Sequence, residues 1–86
     1  MLNKTIALKD FGTTLFARSS AKNILVAREE FDTLTLDFEG VNEIGQGFAD
    51  QIFRVFKNKN PSTKIIVKNA ILDVQKMITW VSQPSP

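Results

Sequence analysis

The residues that could carry chemistry in this chain concentrate in one short segment, residues 34–56. Its alternating first part reaches Asp37 and Glu39, and a polar loop bearing Gly45 and Gly47 then leads into residues with helical spacing. In open α/β sheets, binding surfaces lie where a strand passes through a loop to the N-terminus of a helix. The segment therefore predicts a binding site at this loop.

Polar side chains around the loop are suited to contacting a partner. The candidates for partner binding are Glu43, Gln46, Gly47, Asp50 and Arg54. Gly45 and Gly47 would let the backbone approach another molecule closely. A tight strand-to-helix turn explains both glycines equally, because a G-x-G with no third glycine and no lysine is a weak phosphate-binding signal. Asp50 is likewise explained by the favourable position of a carboxylate in the first turn of a helix.

A second set of residues falls near the predicted strand ends: Asp10, Asp37, Glu39, Lys68 and Asn69. Clustered carboxylates can hold magnesium while a lysine steadies a phosphoryl group. The alternative function is therefore a small phosphoryl-binding or nucleotide-binding protein. Asp and Asn at strand ends are also common because they form turns, so these residues have a purely structural explanation.

The chain contains neither cysteine nor histidine among its 86 residues. These absences exclude disulfides, zinc-thiolate sites, and Ser-His or Cys-His catalytic pairs. We therefore predict no catalytic residues, no metal site, no cofactor and no enzymatic activity.

Charge and hydropathy disfavour two classes of partner. The net charge is only +2, and basic residues are scattered along the chain, which is typical of a solvated surface rather than a nucleic-acid interface. No apolar run approaches the roughly 20 residues of a membrane span. With no signal-peptide pattern at the N-terminus, we expect no membrane partner and a cytoplasmic protein.

Periodicity predicts alternating strands and helices. The predicted strands are Thr5 to Lys9, the segment beginning at Thr33, and Lys64 to Lys68. The predicted helices run from Thr13 or Thr14 to Arg28, from about Gln46 to Lys57, and from Ala70 to about Gln83. This order predicts an α/β fold: a small, mostly parallel sheet of three to four strands packed with about three helices. Residues 1–83 should form one domain, and residues 84–86 a frayed tail.

Several finer features follow from the same patterns. Thr13 or Thr14 should cap the first helix and Asn69 the last. The apolar triplet Ile65 to Val67 suggests a strand buried on both faces. Arg18 could pair with Asp37 or Asp50.

An apolar stripe at helical spacing normally faces the core. The predicted core therefore includes Phe48, Phe53, Phe56, Met77 and Trp80. If Phe53 and Trp80 fall outside the core, they become candidate anchors of a protein interface.

A family resemblance emerges from motifs spread over residues 16–78: ARSSAK, LDFEGV, IGQGFAD, IFRVF, and a later NA followed by V and MI. In this order they resemble the STAS-like domain family of uncharacterised function, a compact relative of the STAS domains of bacterial anti-sigma factor antagonists. The resemblance implies a bacterial, STAS-like regulatory module that binds a protein. It also implies a candidate partner, an ATPase of the histidine-kinase-like fold.

In the antagonists, a strand ending in Leu-Asp precedes a loop and a helix head that carries a phosphorylated Ser. Leu36-Asp37 matches that strand end, and Gly47 falls closest to the phosphoacceptor. Glycine has no hydroxyl, so the Ser switch is expected to be lacking here. Gln51 stands where most relatives carry an acid, and the helix-turn-helix segment that precedes the domain in many relatives is not expected here.

The leading prediction is thus a non-enzymatic protein-binding module that uses the loop at residues 43–47 and the helix after it. A third possibility is a structural homodimer, because a small sheet has two edges that a second copy could cover.

Overall fold

A computed structural model describes residues 3–25 and 32–82. The predicted helix end at Arg28, the helix end at Gln83 and the frayed tail lie outside the described residues. In chain order the elements are β1 (Asn3–Ala7), a 3-10 turn (Leu8–Phe11), β2 (Thr14–Leu15), α1 (Arg18–Ile24), β3 (Thr33–Asp37), β4 (Glu43–Ile44), α2 (Gln46–Asp50), a π-helical segment (Gln51–Phe56), α3 (Lys57–Lys59), β5 (Lys64–Lys68) and α4 (Leu72–Ser82).

The main sheet has three parallel strands in the order β1-β3-β5, with β3 in the centre. Thr35 pairs with Thr5 on one side and with Ile66 on the other. Parallel neighbours need crossover connections, and the helical segments between the strands supply them. The predicted α/β fold with a small parallel sheet is therefore confirmed.

The hydrophobic core lies on one face of this sheet. Leu34 and Leu36 in β3 are buried, and Ile6 and Ile65 on the flanking strands pack beside them. Phe48 and Ile52, from the helical stretch that follows β4, are fully buried against the same core. Side chains alternate along a strand, so Thr33, Thr35 and Asp37 face away from it.

The predicted first helix is too long at its start. Thr14 belongs to β2, a two-residue strand that pairs in parallel with β4, and α1 begins only at Arg18. Thr14 and Leu15 pair with β4 instead of forming a helical turn, and the Gly45 N–H donates to the Leu15 carbonyl at 2.8 Å. Neither Thr13 nor Thr14 caps α1, since the capping position is Ala17 and it provides no side-chain hydrogen bond.

The first predicted strand is shifted. β1 occupies Asn3–Ala7, and the chain then tightens into the 3-10 turn, so Leu8 and Lys9 are not in the strand. Leu8 is nevertheless fully buried, so its side chain joins the core from the 3-10 turn and not from a strand.

β5 is an edge strand of the sheet. The prediction that it is buried on both faces was wrong, because its apolar side chains are partly exposed. Ile65 and Ile66 are half-buried, and Val67 is 36% exposed. The Asn69 cap was also wrong. Asn69 has a left-handed backbone, with φ 59°, its side chain donates to Asp37 at 3.0 Å, and α4 starts at Leu72.

The predicted core members divide into three groups. Phe48 is fully buried, while Phe53, Phe56 and Met77 are partly buried against the core. Trp80 is 59% exposed, so its assignment to the core was wrong. Trp80 and the core residue Val74 lie on different sides of α4, because the apolar side of the helix is narrow.

None of the helices within residues 3–25 and 32–82 has the length and apolar character needed to cross a membrane.

Candidate functional site

The loop between β4 and α2 is built around a close approach at Gly45. A Cβ placed on Gly45 would lie 2.9 Å from Phe16 Cδ1, 3.0 Å from Phe16 Cα and 3.1 Å from the Phe16 carbonyl oxygen. The φ of Gly45 is −88°, a value open to any residue. Glycine is therefore required at this position for space and not for backbone freedom. The close approach arises because the pairing of β2 with β4 places Phe16, the residue that follows β2, against Gly45.

Gly47 lies in the first turn of α2 and is half-buried behind the same segment. A Cβ there would lie 3.6 Å from the Phe16 carbonyl oxygen, 3.8 Å from the Arg18 nitrogen and 3.9 Å from Arg18 Cβ. These are ordinary contact distances, so a small side chain fits. A large side chain would meet the Phe16–Arg18 backbone instead of solvent.

Asp50 holds together the charged part of the site. Arg18 Nη1 donates to Asp50 Oδ2 at 2.8 Å, and Arg54 Nη2 donates to the same oxygen at 2.8 Å. Arg54 Nε also donates to Oδ1, so this guanidinium grips the carboxylate with two hydrogen bonds. Arg18 extends further to Gln51 Oε1 at 3.3 Å. The prediction that Arg18 pairs with Asp37 or Asp50 is thus confirmed for Asp50.

This network fixes the protonation state of Asp50. The pKa of Asp50 falls from the ordinary 3.8 to about 2. The hydrogen bonds from Arg54 are the largest cause, burial opposes them in part, and the hydrogen bond from Arg18 adds to them. Asp50 in turn raises the pKa of Arg54. A carboxylate held so firmly as an anion is a poor general base, because it binds a proton only in strong acid. Its role is to orient two cationic side chains.

The two arginines leave part of each guanidinium open to solvent. Their side chains are 45% and 56% exposed for Arg18 and Arg54, whereas that of Asp50 is only 15% exposed. Two arginines and one carboxylate sum to a local charge of +1. The cluster can therefore offer directed N–H groups to an acidic group of a partner.

Phe16 lies two residues before Arg18, packs against Gly45 and is 53% exposed. Sequence reasoning missed it. The predicted helix included Phe16 but gave it no role, because the residues around it in the sequence carry no signal of its contact with Gly45. Phenylalanine and arginine are residue types enriched in protein interfaces relative to the rest of the surface.

The structure gathers only part of the predicted site. Asp50 and Arg54 are ion-paired, and Gly47 lies next to their neighbour Arg18. Glu43 lies on β4, opposite Thr14, and Gln46 is the first residue of α2. Both side chains are exposed at the rim of the turn. The site is thus the Gly45 turn, the Asp50 network and Phe16, which we call the turn site.

The strand-end residues form a different arrangement from the one a magnesium site needs. Asp37 Oδ1 accepts from Asn69 Nδ2 and from the Glu39 backbone N–H, both at 3.0 Å. These hydrogen bonds, the Asn69 bond first, lower the pKa of Asp37. Within the described ranges no three acidic side chains come together as a possible metal site, so Asp10, Asp37 and Glu39 do not form the expected cluster.

Comparison with known proteins gives one match. A family model described as a STAS-like domain of unknown function matches residues 21–75. Searches of curated proteins and of solved structures found no match. The matched residues include β3, the turn at Gly45, the helical stretch with Asp50, and β5. With more than half of its length covered, the chain belongs to the family of STAS-like domains of unknown function.

Proposed function

We propose that this STAS-like domain is a non-enzymatic regulatory module that binds a protein partner through the turn site. The observation that carries the proposal is the exposed Phe16, which packs against Gly45 and lies two residues before Arg18 of the Arg18–Asp50–Arg54 network. Phenylalanine and arginine are both enriched in protein interfaces relative to the rest of the surface.

The chemistry of the turn site favours binding over catalysis. Its only carboxylate in the ion-pair network has a lowered pKa, and the chain has no cysteine or histidine to act as a nucleophile or base. Interfaces, by contrast, use partly exposed arginines and aromatics over a firm base of buried residues. Here Phe48 and Ile52 are fully buried beneath the helical stretch that carries Asp50 and Arg54.

The partner that fits this surface carries acidic groups near an apolar pocket. The acids would meet Arg18 and Arg54, and the pocket would receive Phe16. By family analogy, an ATPase of the histidine-kinase-like fold is the first candidate. By the family resemblance, Gly47 falls closest to the position of the phosphorylated Ser of the antagonists, and glycine has no hydroxyl, so regulation by phosphorylation at that position is not part of the proposal.

The test compares matched surface variants. Wild-type protein is used to capture partners from a lysate of its source organism, and each captured protein is purified and titrated by calorimetry against four variants. Phe16→Ser removes the aromatic anchor, and Arg54→Glu reverses one guanidinium. Phe11→Ser and Lys59→Glu make the same chemical changes at exposed positions outside the turn site.

We expect Phe16→Ser and Arg54→Glu each to weaken binding by roughly tenfold or more, and both control variants to bind as wild type does. Circular dichroism verifies that every variant is folded. Substituting Gly47 by a large residue is a poorer test, because it would displace the Phe16–Arg18 segment. Unchanged affinity in folded Phe16→Ser and Arg54→Glu would refute the assignment of the turn site.

A further inference from the structure

A second surface of the molecule lies at the outer edge of β5, away from the turn site. Lys64 N–H donates to the Asp32 carbonyl, and the Lys68 carbonyl accepts from Phe38 N–H, at 2.8 and 2.9 Å. Backbone groups alternate sides along a strand, so Lys64, Ile66 and Lys68 bond toward β3. The N–H and C=O groups of Ile65 and Val67 therefore point outward, and no other strand in the described part of the chain pairs with them.

A groove runs beside this edge, between the end of β5 and α4. It encloses about 400 Å³ and is lined by Val67, Asn69, Ala70, Gln75, Ile78 and Thr79. Gln75 and Thr79 are exposed and stand on one flank of α4, while Ala70 and Ile78 belong to the partly buried layer above the core. The groove thus has an apolar floor with polar sides.

The side chains of β5 divide the edge into two faces. Ile65 and Val67 pair with Leu34 and Leu36, so they share the face that carries the helices and the groove. Lys64, Ile66 and Lys68 lie on the opposite face. A strand added at this edge would continue the same alternation. Its residue beside Val67 would reach the groove that Val67 lines, its residue beside Ile65 would lie on the same face, and its residues beside Lys64 and Lys68 would meet two cations.

From this arrangement we infer that the β5 edge is a docking site for an extended segment of a partner protein, whose apolar residues alternate with acidic ones. The segment adds a fourth strand to the sheet. Its backbone satisfies the outward groups of Ile65 and Val67, its apolar side chains fill the groove, and its carboxylates pair with Lys64 and Lys68. This is recognition by strand addition, in which the backbone provides affinity and alternate side chains provide specificity.

Charge decides against a second copy of this chain as the occupant. In the register that pairs two β5 strands along their full length, which is antiparallel about Ile66, a two-fold axis places Lys64 of each copy opposite Lys68 of the other. Like charges directly opposite one another destabilise a strand pair, and edge lysines are a known defence against self-pairing. The same lysines favour a segment with acids at those two positions.

The probe is a capped peptide, Glu-Val-Thr-Val-Glu, which reads the same in either strand direction. Titration into the 86-residue chain is followed by NMR, through amide shifts and hydrogen exchange. We expect slowed exchange at Ile65 and Val67, with little change at Ile66 because its N–H already bonds to β3. The matched peptide Lys-Val-Thr-Val-Lys should bind at least about fivefold more weakly.

Two further measurements separate strand addition from loose attraction. N-methylation of the peptide's edge-facing amides should abolish the protection, since it removes the backbone donors. The variant Lys64→Glu, at an exposed position, should lose most of the preference for the acidic peptide. The inference is overturned if neither peptide binds at millimolar concentration, if both bind equally, or if protection appears elsewhere. Protection of Ile65 and Val67 on concentrating the protein alone would identify a second copy as the occupant and would also overturn it.

Discussion

At the scale of single residues, Gly45 and Gly47 differ in the room that each leaves for a side chain. A Cβ added to Gly45 would lie too close to the Phe16 backbone, whereas a Cβ added to Gly47 would have ordinary contact distances around it. The G-x-G pattern therefore combines two unlike positions. Only the first is dictated by packing, and the second is open to exchange.

The first prediction compares alanine at these two glycines. Gly45→Ala should destabilise the fold by about 1–3 kcal/mol, because the new methyl group forces the Phe16 backbone away from the turn. Gly47→Ala should be neutral or stabilise by up to about 1 kcal/mol, since alanine favours a helix and the space exists. Urea denaturation of both variants measures the difference. Equal stability of the two variants would contradict the close approach at Gly45.

The second prediction concerns the pH dependence of stability through Asp50. Its pKa in the folded protein is about 2, below the ordinary 3.8, so the folded state favours the ionised form. The stabilisation is complete above the ordinary pKa and is lost as pH falls through 3.8 toward 2. Asp50→Asn should therefore lose stability at neutral pH, and its free energy of unfolding should vary less between pH 2 and 4.

Urea titrations across that pH range provide the measurement for Asp50→Asn. Asp73→Asn is the control, because Asp73 is exposed in α4 and takes no part in the turn-site network. An Asp50→Asn curve parallel to that of wild type at every pH would show that the ion pairs contribute nothing to folding.

At the scale of elements, the stretch from α2 through the π-helical segment to α3 carries the turn site and anchors it. Phe48 and Ile52 fall one helical turn apart, and both are fully buried. Asp50 lies between Phe48 and Ile52 in the sequence and Arg54 follows Ile52, and both are on the outer side of this helical stretch. A π-helical segment of this kind is uncommon and frequently marks a functional region. Here it coincides with the residues that present Arg54.

The third prediction is that Ile52→Ala costs about 2–4 kcal/mol of stability, because it leaves a cavity beneath the site. Lys59→Ala, at an exposed position of the same helical stretch, should change stability by less than about 0.5 kcal/mol. Thermal or urea unfolding compares the two. A loss below about 1 kcal/mol for Ile52→Ala would mean that the stretch is not anchored where the structure places it.

Sequence periodicity predicted the elements whose apolar spacing is determined by the core. β3, β5, the start of α2 at Gln46 and most of α4 all follow from it. It failed at β2, where two residues form a ladder with a strand that lies some 30 positions later, between Thr14 and Glu43. Such pairing leaves no local signal. For the same reason Phe16 was missed, since its importance arises only from contact with Gly45.

The strand ends show the same limit. Asp37 and Asn69 were recognised as neighbours at one edge of the sheet, and the structure joins them by a hydrogen bond. Their geometry is a turn-stabilising contact, with a left-handed Asn69, and not a metal site. Residue type alone does not distinguish these outcomes, because the same side chains serve both.

At the scale of the whole molecule, the parallel sheet has one central strand and two edges. β3 bonds to a neighbour on each side, whereas β1 and β5 each pair with only one strand among those in residues 3–25 and 32–82. Leu34 and Leu36, which are buried, also lie on β3. Stability within a domain is uneven, and amides in the best-packed strand open only when the whole domain unfolds.

The fourth prediction is therefore that the β3 amides exchange most slowly and report the global free energy of unfolding. Amides near the start of β1, where Asn3 and Lys4 are exposed, should exchange faster by a large factor. Native-state hydrogen exchange followed by NMR tests this. Equal protection of β1 and β3 would require β1 to be covered by something beyond its pairing with β3.

The β2–β4 ladder has a consequence for dissecting the molecule. Phe16 and Arg18 lie just before α1 and at its first residue, while Gly45 and Asp50 come from after β3, and only the completed fold brings them together. A synthetic fragment of residues 34–56, the richest segment of the sequence, would carry Asp50 and Arg54 but neither of their two neighbours. Display libraries of short fragments would therefore miss the surface, and only intact protein can serve as bait.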